Sequence, residues 1–173
     1  MSESRESAFY YPVILGIDRA VDWIAERPEI DRERIGYYGI SQGGGFGLYL
    51  AMLNKSISRF AVNVPAFCDL QGDSIGRQIC VSKNFYNYRD PSVAVEARRW
   101  APYFDGANFA RFIRKPIRFV AGRSDWICPA ASVYAAYAVC PSEDKAILLE
   151  DGDHTTAPSS AERQMRDFLR EAR

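Results

Sequence analysis

The sequence has no net charge and very little histidine. Lys and Arg together number 22, Asp and Glu together also number 22, and the 173 residues include one histidine. A balanced charge offers no general electrostatic attraction for nucleic acid or for an anionic membrane surface. We therefore expect no nucleic-acid or membrane partner, and a substrate that is neutral or small and polar.

Long hydrophobic runs and a leader-like start are also missing. No apolar run approaches the roughly 18 residues that a membrane-spanning helix needs. Residues 1–11 mix charges with serines, whereas a secretory signal has a basic start followed by an apolar stretch. The expected location is the cytoplasm.

The cysteines lack the spacing of a metal site. Cys68, Cys80, Cys128 and Cys140 form no Cys-x-x-Cys pair, and none has a histidine beside it. This pattern argues against zinc, and we expect neither a metal nor another cofactor. Reduced, partly buried thiols are the favoured state, and a disulfide is the alternative that stays open.

What is present is an alternation of helical and β-prone segments. Hydrophobic residues make up 47% of the chain, which is enough for one core, and no repeat or linker divides it. Helical periodicity covers residues 12–27, 44–54, 92–100 (with Ser92 as cap), 129–139, and a closing helix capped by Ser159 or Ser160. β-prone runs cover 35–40, 60–64, 117–121 and 146–149. The alternation predicts a single α/β domain over residues 1–173, with a parallel sheet, flanking helices and a lid-like insertion at about 68–105.

The segment Gly39-Ile40-Ser41-Gln42-Gly43 fits the Gly-x-Ser-x-Gly nucleophile elbow and stands between a predicted strand and a predicted helix. In such an elbow the serine sits on a tight turn, and glycines on both sides leave room for it. The pattern predicts Ser41 as nucleophile and the Gln42 N–H as a donor to the developing oxyanion. A glycine-rich phosphate-binding turn is the alternative, but no Gly-Lys-Ser/Thr follows.

A serine nucleophile needs a base and an orienting carboxylate. His154, the single histidine, follows the last predicted strand, and Asp125 follows the strand before it. Residues at the carboxyl ends of parallel strands gather at one edge of the sheet. The order Ser41, Asp125, His154 therefore predicts a catalytic triad.

Three other carboxylates fit the role of orienting group less well than Asp125. Asp151 and Asp153 are too near His154 in sequence to be its usual partner, and they are predicted to shape its turn. Asp105 has no predicted strand before it.

Several segments resemble the acetyl xylan esterase / cephalosporin-C deacetylase family of α/β-hydrolases. They are residues 29–36, 39–45 (with Ser-Gln-Gly-Gly-Gly), 103–110, 122–137 and 151–154. The resemblance implies a cytoplasmic, metal-independent, oligomeric serine esterase that deacetylates small sugar-like or antibiotic alcohols. It implies Ser41 as nucleophile, His154 as base and then acid, and Asp125 as the orienting group.

The resemblance also implies a departure in length. Relatives carry well over a hundred residues before the stretch that begins here near Ser7, and these form the first half of the sheet and supply the second oxyanion donor. By this comparison the chain is a C-terminal portion of the fold: a fragment, a mis-started gene model or a reduced relative. Loss of one oxyanion donor costs about 2.7–4 kcal/mol of transition-state stabilisation, so a weakened activity is expected.

Other functions stay open from the residues. An oligopeptidase-like serine peptidase uses the same triad, whereas a dienelactone hydrolase normally has a cysteine where this chain has Ser41. A truncated, non-catalytic module is the alternative from another class. The aromatic run 85–88 is predicted either to line an acyl or sugar pocket or to pack a lid or subunit contact.

Overall fold

The centre of the molecule is a four-stranded parallel sheet. The computed structural model describes residues 6, 8–80, 95 and 98–171. The strands lie side by side in chain order. They are β1 (Gly36–Ile40), β2 (Arg59–Asn63), β3 (Ile117–Gly122) and β4 (Lys145–Glu150). This arrangement confirms the predicted α/β class, and each strand agrees with its predicted run to within one residue.

Helices connect the strands and cover both faces of the sheet. They are α1 (Tyr10–Ala25), α2 (Gln42–Leu53), α3 (Gly106–Ala110), α4 (Ala130–Val139) and α5 (Thr156–Arg170). Single 3-10 turns lie at Arg32–Arg34, Gly72–Ile75 and Ala101–Tyr103. Parallel neighbours require such crossover connections, which place helices over the sheet.

The core follows from the alternation of side chains along β2 and β3. Phe60, Val62 and Phe119 point to one face, where they pack in one cluster with residues of α2 and α4. Ala61 and Val120 point to the other face, where they pack against Met165 of α5. Both faces of these two strands are therefore buried, which explains why their sequences are apolar at nearly every position.

Three predicted helices have other boundaries in the structure. The first helix, predicted at 12–27, spans Tyr10–Ala25. The closing helix begins at Thr156, before Ser159 and Ser160, where the carboxylate of Asp153 accepts hydrogen bonds from the backbone N–H groups of Thr155 and Thr156. The helix after the elbow begins at Gln42, not near Gly44.

Several sequence predictions fall on residues outside the described ranges. The aromatic run 85–88 lies there entirely, and so do parts of the helix predicted at 92–100 and of the lid-like insertion at 68–105. The insertion therefore stays a prediction. Among the described residues, no helix combines the length and the apolar character that crossing a bilayer demands.

The packing predicts a strong dependence of stability on Phe119. Its side chain is fully buried on β3 and meets the Tyr137 ring edge-on at a centroid distance of 5.7 Å. Phe119→Ala is expected to lower the free energy of unfolding by about 3–5 kcal/mol, through lost burial and a cavity. Urea denaturation measures the change.

Phe112→Ala is the matched control, since Phe112 is 65% exposed. It should alter the unfolding free energy by about 0.5 kcal/mol or less. Equal losses for the two variants would contradict the burial pattern.

Candidate active site

The backbone at Ser41 adopts an uncommon conformation between β1 and α2. Its φ of 55° and ψ of −117° are unusual for a residue with a side chain. Such a conformation costs about 1–3 kcal/mol and persists only where surrounding contacts impose it. The turn lifts the Ser41 side chain away from the strand, as the predicted nucleophile elbow requires.

Gly39 gives this turn the space that it needs. A Cβ at position 39 would stand 2.3 Å from the Gly43 carbonyl oxygen. The same carbonyl accepts a hydrogen bond of 2.7 Å from the Tyr37 hydroxyl. Burial raises the pKa of Tyr37 to about 12, so the phenol stays a proton donor at neutral pH. Strand and helix thus approach too closely for any larger residue at position 39.

The second glycine of the motif does not have the steric role that the sequence suggested. A Cβ at Gly43 would meet nothing within 4 Å. The tight contacts occur at the next two glycines instead. A Cβ at Gly44 would lie 2.9 Å from the Pro65 Cα, and one at Gly45 would lie 2.6 Å from the Ala66 oxygen. The glycine run therefore lets α2 pack on the loop after β2.

The structure brings the three predicted triad residues into one hydrogen-bonded row. His154 Nε2 lies 2.9 Å from Ser41 Oγ, and His154 Nδ1 lies 2.8 Å from Asp125 Oδ2. The Asp125 side chain is fully buried, while that of His154 is 16% exposed. With its proton on Nδ1, the ring donates to Asp125 and accepts from the serine hydroxyl, the arrangement that general-base catalysis needs.

Asp125 is held by the turn that follows it. Its Oδ1 accepts the backbone N–H groups of Ile127 at 2.9 Å and Cys128 at 2.8 Å. This leaves Oδ2 directed at the imidazole. The turn thus fixes the carboxylate in orientation and satisfies both of its oxygens in a buried position.

The rival carboxylates have structural partners. Asp153 Oδ1 accepts from the amides and hydroxyls of Thr155 and Thr156, and these hydrogen bonds lower the Asp153 pKa. Asp151 pairs with Arg123 at 2.7 Å on the surface. Asp105 is buried and accepts from the amides of Asp69, Leu70 and Ala107.

The Gln42 amide, which the sequence predicts as an oxyanion donor, lies at the start of α2. It is the first N–H of α2, and no acceptor for it lies among the residues that the structure describes. The first amides of a helix have no partner within that helix, and they carry its partial positive charge. The Gln42 side chain is exposed and donates to the Tyr10 hydroxyl at 3.4 Å.

The loop after β2 is a part of the site that the sequence analysis missed. Asn63 O accepts the Ser41 N–H at 2.9 Å, and Ser41 O accepts the Ala66 N–H at 2.9 Å. Two residues of the loop, Val64 and Phe67, have positive φ themselves. The place of β2 in the chain could have indicated this loop, because β2 lies between two strands that were each expected to end in a site residue.

Comparison with known proteins places this geometry in a family. The sequence profile of the acetyl xylan esterase (AXE1) family matches residues 1–172. The chain belongs to the acetyl xylan esterase family. The predicted resemblance is thereby confirmed over almost the whole length.

Three relatives show the extent of the similarity. The acetyl esterase Axe7A of Xylanibacter ruminicola is 24% identical over 163 residues, 94% of this chain and 37% of that protein. The solved acetyl xylan esterase from Paenibacillus sp. R4 is 30% identical with a TM-score of 0.83, over 98% of this chain and 55% of the other. That from Thermoanaerobacterium sp. is 23% identical with a TM-score of 0.78, over 97% and 55%. The chain therefore spans about half the length of these solved relatives.

Within this acetyl xylan esterase fold, the described residues contain no group of three or more His, Cys, Asp or Glu side chains arranged to hold a metal ion. The four cysteines are buried and carry no disulfide. The groups that meet at the elbow are the Ser41 hydroxyl, the His154 imidazole and the Asp125 carboxylate.

Alanine substitutions at the two glycines of the motif, Gly39 and Gly43, are expected to have different effects on the melting temperature. Gly39→Ala is expected to lower the melting temperature, because its Cβ would displace the Gly43 carbonyl from the start of α2. Gly43→Ala should leave the melting temperature unchanged or raise it, since its Cβ has open space and alanine favours a helix by up to about 1 kcal/mol. Thermal unfolding followed by circular dichroism compares them. A larger loss at position 43 would contradict the steric account.

Proposed function

We propose that this chain is a serine esterase that hydrolyses acetyl esters of small sugar-like or related alcohols through an acyl-enzyme. The observation that carries the proposal is the row of 2.9 Å and 2.8 Å contacts that links Ser41, His154 and Asp125. Membership of the acetyl xylan esterase family gives the reaction class. The predicted cytoplasmic location and homo-oligomer belong to the same proposal.

In the first step, Ser41 Oγ attacks the carbonyl carbon of the acetyl ester while His154 Nε2 takes the hydroxyl proton. The imidazolium that forms is stabilised by the buried carboxylate of Asp125, which is fixed by two amides and cannot turn away. His154 then gives the proton to the departing alcohol oxygen. The acetyl group remains on Ser41 as an ester.

In the second step, water takes the place of the alcohol. His154 removes a proton from the water, the hydroxide adds to the acetyl carbon, and acetate leaves as Ser41 regains its proton. The 16% exposure of the His154 side chain provides contact with solvent for this step. Each step passes through a tetrahedral oxyanion that needs hydrogen-bond donors.

In this chain, the Gln42 N–H is the proposed hydrogen-bond donor to the oxyanion. The positive end of α2 adds to its effect, because Gln42 is the first residue of a 12-residue helix. The proposed mechanism also calls for a second hydrogen-bond donor to the oxyanion. Without it, turnover should be slower by about 10²–10³-fold than in an esterase with both donors.

The substrate class rests on the relatives and on the charge of the chain. The similar proteins are an acetyl esterase and two acetyl xylan esterases. A formal net charge of zero suits an uncharged ester of a sugar-like alcohol. An acetyl group is small, so specificity for acetyl esters depends on an acyl pocket that is too small for larger acyl groups.

The first test is the nucleophile. Ser41→Ala should reduce turnover of p-nitrophenyl acetate by on the order of 10⁴-fold or more, since no other group can form the acyl-enzyme. A fluorophosphonate probe should label Ser41 in the parent chain and nothing in the variant. Ser74→Ala is the control, because Ser74 is exposed and its hydroxyl donates to the Gln71 carbonyl oxygen in its own turn.

Two outcomes would point elsewhere. No labelling of the parent chain would favour the non-catalytic module. Faster cleavage of aminoacyl amides than of acetyl esters would favour a peptidase.

The second test is the orienting carboxylate. Asp125→Asn should lower kcat by about 10²–10⁴-fold with little change in KM, because an amide cannot hold the imidazole in the required tautomer. Steady-state kinetics with p-nitrophenyl acetate measure it. Asp151→Asn is the matched control, since that side chain is exposed and pairs with Arg123 at the surface. Similar losses in both variants would contradict the role of Asp125.

A further inference from the structure

The thiols of Cys80 and Cys128, which the proposed chemistry does not use, are in contact with each other. Cys128 belongs to the turn at residues 125–128 that holds Asp125, here called the acid turn. The sulfur atoms of Cys80 and Cys128 are 3.6 Å apart, although 48 positions separate the residues in the chain. Their exposures are 2% and 1%. The contact joins the segment that precedes residue 81 to the turn that holds Asp125.

Independent polar contacts hold the two segments together. Gln78 Nε2 donates to the Trp126 carbonyl oxygen at 3.4 Å, and Ser132 Oγ donates to the Gln78 carbonyl oxygen at 3.2 Å. Cys128 itself is fixed by its N–H bond to Asp125 Oδ1. These contacts hold the two segments next to each other at the sulfur pair.

We propose that Cys80 and Cys128 form an oxidisable dithiol, a modification site at which a small peroxide creates a disulfide between the acid turn and residues 77–80. A disulfide has an S–S distance of about 2.05 Å, so the sulfurs must approach by about 1.5 Å. Rotation of the two side chains and small backbone shifts supply such a movement. Ordinary apolar packing of two cysteines is the alternative.

The reaction balances with hydrogen peroxide as the oxidant. One thiolate attacks a peroxide oxygen, the O–O bond breaks, and hydroxide leaves and takes up a proton as water, which gives a sulfenic acid. The second thiol attacks the sulfenic sulfur, forms the S–S bond and releases a second water. Two thiols are oxidised by two electrons, and one peroxide is reduced to two waters.

Peroxide suits this position because it is nearly as small as water. The pair is buried, but its neighbours Gln78 and Trp126 are exposed at the surface directly beside it. The hydrogen bond with Cys80 and burial raise the pKa of the Cys128 thiol. Since the thiolate is the reacting form, oxidation should be slow at neutral pH and should accelerate as the pH rises.

The remaining thiols have different surroundings. Cys68 Sγ contacts the Ala66 carbonyl oxygen at 3.7 Å, and Cys140 Sγ contacts the Ile113 carbonyl oxygen at 3.9 Å. Oxidation should therefore select one pair among the four cysteines.

The test treats the whole chain with millimolar hydrogen peroxide at pH 8.5. We expect the loss of two of the four thiols, a mass decrease of about 2 Da by the balance above, and one cross-linked peptide that contains Cys80 and Cys128. The melting temperature should rise by roughly 10 °C, because the bond closes a long loop of the unfolded chain. Dithiothreitol should reverse each change.

Cys80→Ala should abolish the cross-link and the rise in melting temperature, whereas Cys140→Ala should keep both. The peptide map of the parent chain remains decisive even where a variant folds poorly. A cross-link that involves Cys68, stable sulfinic acid without a cross-link, or four intact thiols after treatment would overturn the proposal. The result is independent of ester hydrolysis, because none of these measurements uses a substrate.

Discussion

The site depends on a strained peptide at Ser41, which is held on one side by the last residue of β2 and on the other by the loop after it. The Ser41 N–H donates to Asn63 O, and its carbonyl accepts from Ala66. These bonds impose the positive φ that turns the strand sharply into α2. The cost of that conformation, about 1–3 kcal/mol, is offset by burial of β2 and its loop, whose residues are almost entirely inaccessible. Stability elsewhere in the sheet is thus what keeps the serine in place.

The parallel sheet determines where the other two residues come from. Because β1, β3 and β4 run in the same direction, the turns that follow them lie along one edge. Each turn then fixes its own side chain by local bonds: two amides orient Asp125, and Asp153 caps α5 beside His154. Polar contacts also cross from turn to turn. Besides the contacts between Ser41, His154 and Asp125, the Ser124 N–H donates to Gly152 O at 3.0 Å, and Arg123 pairs with Asp151.

The turn that holds Asp125 connects the site to a second region of the chain. Its Cys128 amide supports the carboxylate, while the Cys128 side chain meets Cys80. A chemical change at the sulfur pair would therefore act on a segment that also positions the proposed orienting group. Asp105 ties the amides of Asp69 and Leu70 to the start of α3 and so supports the loop after β2.

The sequence by itself determined the layered class, the four strands and the three residues of the row. It could do so because strand and helix periodicity, the glycine-flanked serine and a single histidine are local signals, and because parallel strands send their ends to one edge. Tertiary structure alone decided which glycines are sterically required, since open space at Gly43 and contact at Gly44 depend on the distant Pro65. It also decided the start of α5, where Asp153 rather than a serine provides the cap, and the meeting of Cys80 with Cys128. Such contacts arise from packing between segments far apart in the chain, and no local pattern of residues encodes them.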